Sequence, residues 1–174
     1  MALRTRDFLL LVREILPGLL SPSLTDFRSR VVFTSLQVYY WHPRIHYEVW
    51  PQRKTGRLEV GLHFEGEREE SYNWAEALAA RALELQAALG PAMELEAWTP
   101  SWARLHQTLL FIELDQELAE AVAQRLADMI RLLQPILEKE RARLFLGDVA
   151  PVPTAPGRGR HRRHRHRQAP PLAR

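Results

Sequence analysis

The side chains with the most chemical capacity lie in two short runs. Residues Ile45-His46-Tyr47-Glu48-Val49-Trp50 alternate apolar and polar, and so do Leu58-Glu59-Val60-Gly61-Leu62-His63-Phe64-Glu65. Strict alternation marks a strand with one buried face. Ile45, Tyr47, Val49, Leu58, Val60, Leu62 and Phe64 share the apolar side. His46, Glu48, Trp50, Glu59, Gly61, His63 and Glu65 share the other. Between the runs lies Arg53-Lys54-Thr55-Gly56, a polar loop whose glycine can take a positive φ. A turn over these residues pairs Gln52 with Arg57. His46 then falls opposite His63, Glu48 opposite Gly61 and Trp50 opposite Glu59.

Two imidazoles and a carboxylate (His46, His63 and Glu48) suit zinc or a related divalent ion. A histidine beside a glutamate can also act as a general base near neutral pH. Either chemistry would make the chain a metal-assisted hydrolase. Arg104 and His106, on a later strand, join the group if that strand faces the same way. An ordinary solvated sheet face carries the same residue types, however, and its cross-strand pairs need no ligand; they contribute roughly a few tenths of a kcal/mol each. Aromatic residues favour binding over catalysis. Trp50 and Trp98 point to the open face, with Trp41 and Trp102 flanking it, and tryptophan is enriched at contact surfaces. The leading expectation is therefore a non-enzymatic binding or accessory module. Its surface is His46, Glu48, Trp50, Glu59, His63, Glu65 and Trp98, and its partner is a protein, a second copy or a small molecule. No cofactor is called for, apart from the divalent metal of the hydrolase alternative.

Several chemistries lack their residues. Cysteine is absent, which removes thiol catalysis, thiolate metal sites and disulfides, and fits a cytoplasmic protein. There is no glycine-rich phosphate loop, no dinucleotide fingerprint and no nucleophile elbow. Lysine occurs only at Lys54, in the hairpin loop, and at Lys139, at a helix end, so a carboxylate-plus-lysine nuclease core is not expected. The dominance of arginine over lysine suggests a GC-rich bacterial coding sequence. The longest apolar stretch, Phe8 to Val12, is closed by Arg13 and Glu14. It falls far short of the roughly 20 residues of a helical membrane span and of the apolar run of a signal peptide.

Charge divides the chain. The net charge is +3, from 24 basic and 21 acidic residues. Residues 151–174 hold seven arginines and no acid, so the remainder has 17 bases against 21 acids, or −4. An acidic domain argues against a nucleic-acid surface of its own, which leaves a nucleic-acid binder as the weakest alternative. The tail is different. Arg158, Arg160, Arg162, Arg163, Arg165 and Arg167 alternate with glycine and histidine after a proline-stiffened linker. Such a segment has little to bury, so disorder is expected. It can hold phosphates in a salt-sensitive way, so any nucleic acid would bind through the tail. Its interleaved histidines could also capture a metal. We expect one domain over 1–148 and the tail over 149–174.

The elements that must position the hairpin follow from periodicity. Residues 3–16 read as an amphipathic helix ended by Pro17-Gly18. Residues 30–41 read as one strand. A helix over 74–89 takes Asn73 as N-cap and Gly90 as its C-terminal stop. Strands follow over 93–98 and 104–112. Asp115 caps the last helix, which Pro135 should kink. The order is α-β-β-β-α-β-β-α. It predicts a two-layer α+β sandwich, an antiparallel sheet of about five strands with its helices on one face.

Overall fold

The computed structural model describes residues 1–144. The expected domain end at 148 and the tail over 149–174 lie outside the described residues. The domain is a mixed α+β fold with one open, fully antiparallel sheet of six strands: β1 (Arg28–Val32), β2 (Ser35–Tyr39), β3 (Ile45–Gln52), β4 (Arg57–Phe64), β5 (Glu94–Ala97) and β6 (Ala103–Leu110). Their spatial order is β1-β2-β3-β4-β6-β5. Helix α1 (Thr5–Ile15) precedes the sheet, α2 (Arg68–Ala79) and α3 (Ala82–Leu89) join β4 to β5, and α4 (Gln116–Leu144) closes the fold.

The β3–β4 hairpin has the register that alternation and its loop predict. Gln52 pairs with Arg57, Trp50 with Glu59, Glu48 with Gly61 and His46 with His63. Gly56 takes φ 63°, as the turn requires. Strand β6 pairs with β4 so that Arg104 meets His63 and His106 meets Gly61. Arg104 and His106 therefore share the polar face, and β5 adds Glu94 and Glu96 beside them.

The apolar face is covered by the helices. Tyr47, Val49, Leu58, Val60, Leu62 and Phe64 form one core with Phe8, Leu9 and Val12 of α1, Trp74 and Leu78 of α2, and Val122, Leu126, Ile130 and Leu133 of α4. Each large side chain buried here contributes roughly 1.5–3 kcal/mol. Tyr47 Oη donates to Gln134 Oε1 at 3.2 Å, which gives both buried polar groups a partner.

Three expectations are corrected. The strand expected over 30–41 is two strands, because Phe33 takes φ 51° and turns the chain back on itself; this adds the sixth strand. The helix expected over 74–89 begins six residues earlier, after Glu67, and breaks at Ala80–Arg81 into α2 and α3. Asn73 therefore lies inside a helix rather than at its cap. Trp41 does not flank the polar face: it stacks on Trp74 at 6.2 Å, and Trp74 in turn stacks on Phe64 of the core face at 6.0 Å. Other signals held. Gly90 ends α3 at φ 98°, and Asp115 Oδ1 accepts from the Leu118 backbone N–H at 2.8 Å. Helix α4 runs through Pro135 to Leu144, so the proline removes a hydrogen bond without ending the helix.

Candidate functional site

The polar face of the sheet is not a wet surface. His46 is 1% exposed, His63 0%, Glu59 3%, His106 6% and Glu48 7%. Long polar side chains from five adjacent strands close over one another, with Trp98 laid against them. Its ring meets His63 edge-on at 5.2 Å, lies 5.9 Å from Trp102, and carries the Arg104 guanidinium 5.0 Å from its centre. Trp98 and Trp102 therefore border the face as expected, but Trp98 is already half-buried by its neighbours. Trp50, also half-buried, lies towards the β1–β2 and β3–β4 turns, beside Thr34 and Arg53.

The buried groups form two linked sets. In the first, Glu48 Oε2 accepts from Gln37 Nε2 at 3.0 Å and from Ser35 Oγ at 3.1 Å. It also lies 3.4 Å from His46 Nε2. The Pro43 carbonyl, 2.7 Å from His46 Nδ1, can only accept, so that nitrogen carries a proton. Burial pushes the Glu48 pKa up. The His46 ring, the Gln37 amide and the His63 charge outweigh it and hold the carboxylate at about 2.

His63 is the centre of the second set. Its Nε2 lies 2.9 Å from Glu59 Oε1 and its Nδ1 3.2 Å from Glu65 Oε1. A carboxylate can only accept, so the ring carries both protons. Burial alone would lower the His63 pKa. The hydrogen bonds to Glu59 and Glu65, with the charges of Glu48 and Glu59, reverse that and raise it to about 9. Glu59 gives its other oxygen to Arg104 at 2.7 Å, and Arg104 grips Glu96 Oε1 through two nitrogens at 2.6 and 2.8 Å. His106 Nε2 reaches the same Glu96 oxygen at 3.0 Å. Glu65, His63, Glu59, Arg104, Glu96 and His106 thus form one hydrogen-bonded chain across β4, β6 and β5.

All seven binding-face residues read from the sequence (His46, Glu48, Trp50, Glu59, His63, Glu65 and Trp98) lie on or beside this face. The donor set within metal-binding range differs from the expected one. His46 and His63 are joined there by Glu65 rather than Glu48, and Glu94, Glu96 and His106 make a second such group. Sequence reasoning missed Ser35, Gln37, Glu94 and Glu96 as parts of the network. Glu94 and Glu96 are legible from the alternation of 93–98; Gln37 is not, because no glycine, proline, asparagine or aspartate in 30–41 marks the reversal at Phe33 that places it on β2.

Beside the second group a cleft of about 430 Å³ opens to solvent. Glu59, Arg104 and His106 form its buried side, and Glu94, Glu96, Arg57 and Thr108 its more exposed one. Among the described residues no helix is long and apolar enough to cross a membrane. No known protein family matches the chain, and neither does any curated protein or solved structure.

Proposed function

We propose that the protein is a binding module, and that its ligand sits in the cleft over β4, β6 and β5. One observation carries this reading: the ionised groups of the polar face are already paired with one another beside that cleft. Such pairing fixes a charged surface in place before any ligand arrives, which lowers the ordering cost of binding. It suits proton transfer poorly. A general base works best with a pKa near the working pH. His63, at about 9, holds its proton at neutral pH, and Glu48, at about 2, is a weak base.

A thermal-shift screen of the full chain against small amines, carboxylates, phosphates and divalent cations tests the reading. Thr108→Trp is the paired control, since Thr108 is exposed at the cleft and makes no part of the network. A ligand that raises the wild-type midpoint by several degrees and leaves Thr108→Trp unmoved supports the proposal. Equal shifts in both proteins count against it. Turnover of a chromogenic ester or phosphoester that disappears in His63→Gln would replace it with a catalytic reading.

The arginine tail supplies a second, looser attachment in this proposal. Its six clustered arginines would hold polyanions without reading sequence.

A further inference from the structure

We infer that Glu94, Glu96 and His106 form a binding site for one divalent transition-metal ion, with zinc the best match. The inference deepens the binding reading by naming the ligand of the cleft.

The donor atoms of these residues lie within 4.8 Å of one another, so small side-chain movements bring them onto one ion. Two carboxylates and an imidazole are an oxygen and nitrogen set that suits zinc and its first-row neighbours. They come from facing strands: Glu94 and His106 are register partners, and Glu96 pairs with Arg104 two residues away. Strand pairing therefore fixes their separation. Access is graded, with Glu94 71% exposed, Glu96 41% and His106 8% at the side chain. An ion can enter from the cleft and would keep positions open for water.

The His106 ring gives the second, independent observation. Its Nε2 points to Glu96 at 3.0 Å and lies 3.9 Å from Glu94. Its Nδ1 is buried and has no hydrogen-bond partner. The nearest carboxylate oxygen is Glu59 Oε2, at 3.9 Å. A buried nitrogen without a partner is costly to the fold. Metal on Nε2 would place the proton on Nδ1, facing Glu59. A histidine that ligates through one nitrogen and turns the other to a carboxylate is the usual arrangement around a protein-bound metal.

Charge agrees. Glu59, Glu65, Glu94 and Glu96 carry four negative charges, and Arg104 and the doubly protonated His63, paired to three of them, carry two positive. The remainder of −2 attracts a cation, and Arg57 at the rim of the cleft reduces it. Arg57 lies two register steps further along β4, beyond Glu59. The other group in range, His46, His63 and Glu65, is less suited. Both His63 nitrogens are committed to carboxylates, and the two imidazoles are closed to solvent.

The test is calorimetric titration of zinc into the full chain. The tail histidines His161, His164 and His166 are changed to Gln throughout, so that they cannot contribute. One ion per chain is expected. Glu94→Gln, at a position 71% exposed, should weaken it at least tenfold. His106→Gln should do the same or more, and Glu59→Gln should weaken it less, through the loss of one nearby negative charge. Glu65→Gln should change nothing. The inference is overturned if no zinc binds, if Glu94→Gln and His106→Gln bind as well as the parent, or if Glu65→Gln is the variant that loses the ion. A cleft that binds an organic ligand, blocked by Thr108→Trp, but no zinc would leave the binding module standing and the metal site refuted.

Discussion

Gly61 and His106 face each other across β4 and β6, and a β-carbon on Gly61 would come within 2.8 Å of the His106 Cβ and 3.1 Å of the Leu105 carbonyl oxygen. The missing side chain is what lets His106 lie in the middle of a crowded face. Any side chain at 61 must move the histidine or separate the strands.

Gly61→Ala is therefore expected to destabilise the fold by about 1–3 kcal/mol, the usual range for overpacking a tight site. Urea unfolding measures it. The same variant should weaken zinc binding, because His106 cannot keep its place. A Gly61→Ala protein as stable as the parent would show that β4 and β6 are packed less closely than these distances state.

Glu59 holds two cations, His63 at 2.9 Å and Arg104 at 2.7 Å, and is 3% exposed. Removing one partner from a buried pair leaves the other charge uncompensated, at a cost of about 3–5 kcal/mol. Glu59→Gln should approach that loss in urea unfolding. Adding Arg104→Gln should then cost much less than Arg104→Gln costs alone, with a coupling of about 1–3 kcal/mol in the double-mutant cycle. Additive losses would mean that Glu59 and Arg104 act separately.

How much of this was legible beforehand depends on which force sets each feature. The β3–β4 register was readable because a one-residue slip would expose Tyr47, Val49, Val60 and Leu62 together. The β1–β2 turn was not, because Phe33 is no turn former and adopts φ 51° in a tertiary context that single residues do not reveal. The break between α2 and α3 carries no glycine or proline at Ala80–Arg81. Alternation also assigned His46, His63 and Glu59 to the polar face but implied that they were wet. Their burial comes from Gln37, Trp98, Arg104 and Glu96, which the chain brings in from other strands and a loop. Side-chain closure of this kind is a property of the assembled sheet, and no local pattern encodes it.

His63 and Glu48 set the pH range of greatest stability. The folded pKa of His63, about 9, lies above its ordinary value of 6.5. Its contribution is complete below about 6.5 and is lost as pH rises through about 9. Glu48 runs the other way. Its folded pKa of about 2 lies below the ordinary 4.5, so its contribution is complete above about 4.5 and is lost as pH falls through about 2. Unfolding free energy should therefore be flat between about pH 4.5 and 6.5 with respect to these two groups. It should fall by an amount on the order of 3 kcal/mol between pH 6.5 and 9 through His63. His63→Gln should lose that alkaline slope, and NMR of the ring should place its titration well above neutral. A His63 that titrates near 6.5 would contradict the paired geometry with Glu59 and Glu65.

The tail prediction concerns charge alone. If Arg158, Arg160, Arg162, Arg163, Arg165 and Arg167 each displace a counterion from duplex DNA, log affinity should fall against log salt with a slope of about −5. Changing all six to Ser should remove that slope and nearly all binding, because the domain without residues 151–174 carries −4. Gel shifts at two salt concentrations on the full chain and the six-fold variant measure both. Binding that survives the substitutions with its salt dependence intact would move the nucleic-acid surface onto the folded domain. It would then have to lie away from the carboxylates of Glu59, Glu94 and Glu96.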